Sequence, residues 1–356
     1  MNPPKLTNER SPSKVGIMTF HYTTNYGAVL QTYALVKIVK SLGFNPEVID
    51  YRPWKANLVY AKTLFLNRRV FSGILKFIRF SSFLRNELFL TSKKDFDGKG
   101  LEAVAEQCGA VIVGSDEVWK TNSFRGFDPA FFLDFVKDDQ KKISFSASVG
   151  STKSFGQRKD EICELLSQFD AIAVRDDYSA ELLANECGLD STGLLDPTLL
   201  IDFQEFTSRY VSNEDFVLVY GKLNDNEMSI VKEVAAERGC KVYSVGYFNR
   251  DADKNFVAAG VEDWLALFQS AAMVFTLFYH GVIFSLKFHR EAMVLNREDK
   301  SYKIAQLIKD LELEYKAFGE AGIKKEISML SYSDKTSRVI ELARTNCKNY
   351  LLEALS

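Results

Sequence analysis

Two of the chain's three histidines lie where an apolar segment ends and a helix is predicted to begin, one in each half of the sequence. His21 follows KVGIMTF, and His280 follows AAMVFTLFY. Continuous apolar runs of this kind predict buried parallel strands, and open α/β sheets bind ligands at the carboxyl ends of their strands. A helix that begins there presents unpaired N–H groups, which suit phosphate or carboxylate. We therefore expect two polar turns that face one cleft.

The first turn, HYTTNYGAVLQ, contains three further candidates for ligand contact, Asn25, Tyr26 and Gly27. Gly27 permits a ligand to approach the start of the helix closely, whereas Asn25 either caps the helix or faces the cleft. The turn matches neither GxGxxG nor GxxxxGK[ST], so it does not indicate a dinucleotide or P-loop site. A capped turn that binds no ligand is the alternative interpretation.

Acidic side chains follow another apolar run, in the segment GSDEVWK. Asp116 and Glu117 come shortly after the predicted strand at residues 110–113. A carboxylate at a strand end is placed to accept a proton from a sugar hydroxyl. In the alternative interpretation, Ser115 or Asp116 caps a helix and takes no part in chemistry.

Groups that bind anions or transfer protons are predicted at two more strand ends. Arg175 follows the apolar run AIAV, and its planar guanidinium matches phosphate or carboxylate; an ion pair with Asp176 or Asp177 is the alternative. His280 stands at a predicted helix start, and histidine as a residue type exchanges protons near neutral pH. The triplets DFD and DAD lie in polar loop segments, where such triplets are common by chance, so no metal site is predicted.

Strands and helices alternate along the chain, which predicts an α/β fold with parallel sheets and right-handed crossovers. A polar segment, SRYVSNED, interrupts the alternation, and 356 residues are enough for two cores. The final helical segment should pack back on the first domain, because Val339, Leu342 and Leu351 need a surface to cover. We predict a disordered tail (1–13), an N-terminal α/β domain (14–208), a C-terminal α/β domain (209–330) and the final helical segment (331–356).

Composition and charge argue against several classes of protein. The formal net charge of −2 gives no electrostatic case for nucleic-acid binding. The five cysteines are scattered without a CxxC pair, which argues against a zinc site or a disulfide framework and fits a reducing compartment. The N-terminus lacks the apolar region of a signal peptide, and no apolar run is long enough to span a bilayer. We therefore expect a cytoplasmic protein.

A basic amphipathic segment, residues 68–85, allows two interpretations. Val70, Ile74, Phe77 and Ile78 recur at helical spacing among arginines and lysines. Such a helix ordinarily turns its apolar face to the core and its basic face to solvent. The alternative is peripheral contact with an anionic membrane surface, at the inner face of the cell membrane and near a lipid-linked acceptor.

Six segments, taken in order along most of the chain, resemble the polysaccharide pyruvyl transferase family: TFHYTTNYGAVLQTYAL, GSDEVWK, ISFSASVG, AVRDD, LLDPTLLID and YHGVIFSLKF. The resemblance implies two Rossmann-like domains that face a cleft, as in GT-B glycosyltransferases. It implies transfer of pyruvate from phosphoenolpyruvate to a sugar of a cell-surface polysaccharide, or of its lipid-linked precursor, as a cyclic ketal.

The resemblance also implies roles for individual residues. The first domain should hold the acceptor and the second the donor. In the expected reaction, Asp116 or Glu117 takes a proton from the sugar hydroxyl and His280 protonates the enol methylene, without a cofactor or a metal ion. Donor contacts are expected from Arg175, His280, Gly281 and Lys303, and acceptor contacts from His21, Asn25, Tyr26 and Gly27.

The chain departs from the family pattern immediately before His280. It carries Leu277 and Phe278 where the family commonly has an acidic residue and a polar or basic one. Two other functions therefore stay open: a GT-B glycosyltransferase that uses a nucleotide sugar, and a non-catalytic relative that binds glycan. Stabilisation by phosphoenolpyruvate, by a nucleotide sugar or by neither would distinguish the three.

Overall fold

The protein is built from two α/β units, each on its own sheet. The predicted disordered tail lies outside the described residues except for Ser13. The computed structural model describes residues 13–59, 70–91, 94–209, 214–295, 301–317 and 327–356.

The first sheet has six parallel strands in the order β2-β1-β3-β4-β5-β6. Strands β1, β3 and β4 are buried along nearly their whole length, and the sequence shows β1 and β3 as mainly apolar runs, whereas β4 also buries polar side chains. The strands are β1 Lys14–Met18, β2 Asn45–Val48, β3 Ala110–Asp116, β4 Lys141–Ala147, β5 Ala173–Val174 and β6 Thr192–Gly193. The α-helices of this unit are Tyr26–Ser41, Val70–Glu87, Leu101–Ala105, Lys159–Ser167, Asp177–Cys187 and Pro197–Leu200.

The second sheet has seven strands in the order β12-β13-β11-β10-β7-β8-β9. Its strands are β7 Phe216–Tyr220, β8 Lys241–Val245, β9 Lys254–Phe256, β10 Met273–Thr276, β11 Glu291–Leu295, β12 Glu314–Ala317 and β13 Ile327–Ser331. The helices that follow or connect them are Asp225–Glu237, Val261–Ser270, Tyr279–Lys287, Ser301–Asp310 and Asp334–Leu355.

One edge of the second sheet corrects the expectation of wholly parallel sheets. Strand β13 runs antiparallel to both of its neighbours, β11 and β12. An antiparallel neighbour can follow through a short connection without a crossover helix, so the β/α alternation of the sequence gave no sign of this edge.

The helix Tyr26–Ser41 belongs to the first unit, but its first side chain enters the second. The Tyr26 hydroxyl donates a hydrogen bond of 2.8 Å to the carbonyl of Ala259. Its ring stacks on Trp264 at 5.1 Å between centroids, and both side chains are fully buried. This contact joins the two cores beside the turn that the sequence analysis identified.

The final helix, Asp334–Leu355, lies against the first unit. The Tyr350 hydroxyl donates 2.7 Å to the carbonyl of Ser144 in β4, and Leu351 is fully buried. Leu342, which was expected to cover the same surface, is 64% exposed and points away from it. The helix therefore uses a narrower apolar stripe than its sequence predicts.

Two cysteines correct the expectation that none would pair. Cys163 and Cys187 form a disulfide with their Cα atoms 5.1 Å apart. They lie on the helices Lys159–Ser167 and Asp177–Cys187, which pack against each other. A separation of 24 residues has no motif character, so only the packing of the helices brings these thiols together.

The helix Val70–Glu87 buries a different face from the one predicted. Phe80, Phe83 and Leu84 are buried, whereas Ile74 and Ile78 of the predicted apolar stripe are exposed. The helix thus leaves apolar side chains on the surface, interspersed with basic ones. Among the residues that the structure describes, no helix is both long and apolar enough to cross a bilayer.

Candidate active site

A cavity of about 640 Å³ opens between the two units, at the carboxyl ends of strands β3, β5, β7 and β10. Both units contribute to its wall, so this space is the cleft that the two histidine-containing turns predicted. Charged residues from several separate segments meet in it. The described ionisable residues that line it, apart from the tyrosines, are Lys76, Asp116, Glu117, Lys120, Arg125, Arg175, His280 and Lys303.

The turn before the helix Tyr26–Ser41 lies against His280 of the second unit. Asn25 caps this helix by accepting a hydrogen bond of 3.0 Å from the Gly27 N–H, and the Asn25 side chain also lines the cavity. The His280 ring lies directly on Gly27, where a Cβ atom would stand 2.7 Å from His280 Cε1 and closer still to Nδ1 and Cγ. Glycine is therefore required at this position to seat the imidazole of the opposite unit.

Arg175 and His280 share one buried carboxylate. Asp196 Oδ2 lies 3.3 Å from Arg175 Nη1 and 3.4 Å from His280 Nε2. Burial favours the neutral acid, but His280 and Arg175 together hold the pKa of Asp196 well below its usual range. Thr198 adds hydrogen bonds from its N–H at 3.0 Å and from its hydroxyl at 2.6 Å. Asp196 thus fixes the positions of both groups expected to bind the donor.

This arrangement replaces the predicted alternative of an ion pair between Arg175 and a neighbouring aspartate. Asp176 instead caps the helix Asp177–Cys187 through the Ser179 N–H at 2.8 Å. Asp177 pairs with Lys309 at 2.6 Å. The Arg175 guanidinium also stacks over the Tyr279 ring, 5.1 Å from its centroid.

The acidic side of the cleft is formed by Asp116 and Glu117. Asp116 has a φ of 113°, a left-handed conformation that is strained for a non-glycine residue and recurs at functional sites. Its Oδ1 accepts 2.8 Å from the Glu117 N–H. The Glu117 carboxylate pairs with Lys120 at 3.0 Å and also with Lys303. Of the two acids, Glu117 is therefore neutralised by lysines.

Two lysines of the cleft have a pKa that burial lowers. Burial lowers the pKa of Lys303 to about 8, with Asp116 acting in the opposite direction. Burial likewise lowers the pKa of Lys76 to about 8, and its ammonium lies 4.5 Å from the centroid of the Tyr26 ring. Binding of an anion would favour the charged form of both groups.

The helix Tyr279–Lys287 directs its N-terminus at the cleft. Phe278 occupies the capping position and has no side-chain acceptor for the first N–H groups. The helix begins where Tyr279 and His280 line the cavity, so its partial positive charge faces an incoming ligand. Gly281 is buried in this helix, and a Cβ there would stand 2.7 Å from Thr276 Cβ.

Seven of the predicted site residues line the cavity: Asn25, Tyr26, Asp116, Glu117, Arg175, His280 and Lys303. Three do not, and their predicted ligand contacts are corrected. His21 is fully buried, with Nε2 3.0 Å from Asp50 Oδ1, a carboxylate of the segment that follows strand β2. Gly27 and Gly281 serve packing, since each makes room for another side chain.

The two residues that depart from the family pattern immediately before His280 have different positions. Leu277 is buried against Gly221, away from the cavity wall. Phe278 lines the cavity and stacks on Tyr247 at 5.4 Å between centroids. Only the second departure therefore changes the surface that a ligand meets.

Several residues of the site were missed at the level of sequence. Asp196 stands in LLDPTLLID, where an aspartate before proline indicates a helix cap and nothing more. Lys76 was treated as part of an amphipathic helix, Lys120 was given no role within GSDEVWK, and Arg125 lies in no motif. Among the described residues, no cluster of three or more histidine, cysteine, aspartate or glutamate side chains is arranged to hold a metal ion.

Comparisons with known proteins bear on the family and the fold of the chain. The family model for polysaccharide pyruvyl transferase matches residues 25–299. A search of curated proteins found no significant match.

Among solved structures, a putative UDP-N-acetylglucosamine 2-epimerase from Listeria monocytogenes is similar over 96% of this chain and 91% of its own, with a TM-score of 0.50 and 12% identity. The glycosyltransferase SnogD from Streptomyces nogalater is similar over 97% and 95%, with a TM-score of 0.43 and 10% identity. Together with the two mainly parallel sheets, the first of these likenesses shows a GT-B-like fold of two Rossmann-like domains.

Proposed function

Because the chain belongs to the polysaccharide pyruvyl transferase family, we propose that it transfers pyruvate from phosphoenolpyruvate to a sugar of a cell-surface polysaccharide or its precursor, as a cyclic ketal. The observation that carries the proposal is the pairing of Arg175 and His280 on Asp196 at the edge of a cationic cleft. A donor with both a phosphate and a carboxylate needs such cations.

The donor is held by groups from both units. Arg175 and Lys303 supply positive charge, and the uncapped start of the helix Tyr279–Lys287 supplies N–H groups. The acceptor sugar enters from the side of Asn25 and Asp116. No cofactor or metal ion is required by this arrangement, because phosphoenolpyruvate brings its own leaving group.

The reaction proceeds in two balanced steps. A sugar hydroxyl adds to C2 of phosphoenolpyruvate while C3 accepts a proton, which gives a tetrahedral phosphoketal. A second hydroxyl then attacks the same carbon, phosphate leaves with the C–O bond electrons, and the ring closes. Asp116 is the base of the first step, because Glu117 is neutralised by two lysines while Asp116 Oδ1 accepts a single backbone N–H. His280 donates the proton to C3 and recovers one from the second hydroxyl, while Asp116 passes the proton that it accepted to the departing phosphate.

The test begins with binding. Phosphoenolpyruvate should raise the melting temperature, and the gain should shrink at high salt because the contacts are ionic. A shift with a nucleotide sugar and none with phosphoenolpyruvate would instead support a glycosyltransferase. Glycan binding without any response to either donor would support a non-catalytic relative. We further propose that the protein acts in the cytoplasm, where phosphoenolpyruvate is available.

A further inference from the structure

We propose that an apolar groove beside the cleft holds the hydrocarbon chain of a lipid-linked saccharide. This inference deepens the proposed function and rests on it for the reaction that the acceptor undergoes. The groove has a volume of about 600 Å³ and lies between the helix Val70–Glu87 and the segments at residues 54–58 and 94–96. Its apolar wall is formed by Phe77, Phe80 and Leu84 on one side and by Trp54, Leu58 and Phe96 on the other.

The groove is continuous with the cleft. Thr23 and Thr24 line both spaces. On the helix Val70–Glu87, Lys76 faces the cleft while the next residue, Phe77, faces the groove. A single ligand can therefore place a sugar among the catalytic groups and a chain in the groove.

The groove adjoins further apolar space. A second cavity of about 370 Å³ shares Phe77 and Leu84 with it and continues along the same helix to Ile78 and Leu90. A compact apolar ligand would not need this extension, whereas a hydrocarbon chain of many carbons would.

Charge at the groove identifies the class of amphiphile. The ionisable groups among its described lining residues are Arg52 and Lys94, and no carboxylate is among them. Arg52 is held in place by Asp50 through Nε and, at 2.8 Å, through Nη2, and it stacks on the Tyr22 ring. Cations beside an apolar groove match a phosphate that links a sugar to a hydrocarbon chain. The occupant is therefore an anionic lipid-linked saccharide.

The wall of the groove formed by Trp54, Leu58 and Phe96 is accessible to water. Trp54 is 56% exposed and Leu58 is 49% exposed, and Phe71 and Ile74 extend the exposed apolar surface along the helix. Contiguous exposed apolar surface of this kind marks a site of association. A bound chain would remove this surface from water.

The groove carries its own spectroscopic reporter. The chain has three tryptophans; Trp119 and Trp264 are fully buried, whereas Trp54 lines the groove. Entry of a hydrocarbon chain should shift Trp54 emission to shorter wavelength, and Trp54→Phe should abolish that change. The two probes are a hexosyl diphosphate that carries a farnesyl chain and the same hexosyl diphosphate that carries a methyl group.

We expect the farnesyl probe to bind at least ten-fold more tightly than the methyl probe. Leu58→Asp, which places a negative charge on the apolar wall of the groove, should remove this preference. Its matched control, Leu342→Asp, alters an exposed leucine on the final helix and should keep it. Equal affinity for the two probes, or an equal loss in both variants, would overturn the proposal.

The titration requires neither phosphoenolpyruvate nor turnover, so it separates this proposal from the proposed function. If the farnesyl preference is present and no ketal forms, the groove stands and the reaction is wrong. If ketal forms on soluble sugars and the farnesyl preference is absent, the reaction stands and the groove proposal fails.

Discussion

A methyl group at Gly27 should disable the site without unfolding the protein. In Gly27→Ala the new Cβ would stand 2.7 Å from His280 Cε1 and closer to Nδ1 and Cγ, whereas ordinary contact begins at 3.4 Å. The ring must therefore move by roughly 1 Å, and a misplacement of that size reduces turnover by about 10²-fold. Alanine is the better helix former by about 1 kcal/mol, so the helix that begins at Tyr26 is not itself weakened.

The assay for this variant compares kcat/KM for ketal formation with the melting temperature. Gly193→Ala is the matched control, because a Cβ there meets nothing within 4 Å, and it should retain wild-type activity. Wild-type kcat/KM in Gly27→Ala would refute the argument that the His280 position governs the reaction. A large loss in Gly193→Ala would show that the effect is not local.

Three further predictions follow from the charges and the disulfide. Arg175→Ala should weaken phosphoenolpyruvate binding in a titration and also lower stability by about 3 kcal/mol, because it removes one of the two cationic partners of the buried Asp196. An unchanged denaturation midpoint would show that this ion pair contributes little. Burial lowers the pKa of Lys303 and Lys76 to about 8, so both are cationic below that pH and donor affinity should fall as the pH rises through 8. A double lysine-to-arginine variant should move this fall to higher pH, and an unchanged pH profile would exclude the two lysines as its cause. Reduction of the disulfide, which closes a loop of 24 residues, should lower stability by roughly 3 kcal/mol, and an unchanged melting curve in a reductant would argue that the thiols are unpaired in solution.

Much of the fold and part of the site were accessible from local sequence pattern. The apolar runs before His21, Asp116, Arg175 and His280 predicted strand ends, and parallel strands bring their carboxyl ends to one edge. The spatial convergence of these turns therefore followed from topology. The family match over residues 25–299 agrees with the same ordered segments.

The remaining features depend on contacts between distant parts of the chain. Arg175 has acidic neighbours in sequence, yet its partner is Asp196, because β5 and the helix start at Pro197 lie side by side. Periodicity found an amphipathic helix at Val70–Glu87 but did not show which apolar stripe would be covered. His21 was assigned to the ligand by its place at a strand end, although its partner Asp50 lies on a neighbouring segment. Local pattern does not encode such partners.

To test whether the protein transfers pyruvate from phosphoenolpyruvate to a sugar, we would incubate it with phosphoenolpyruvate and a panel of soluble and lipid-linked sugar acceptors. Release of phosphate is measured together with the mass of the product sugar. We predict that one phosphate is released for each sugar whose mass increases by that of pyruvic acid minus one water. In His280→Ala the rate of this reaction should fall about 10²-fold or more. Phosphate release without a modified sugar, or unchanged turnover in His280→Ala, would contradict it.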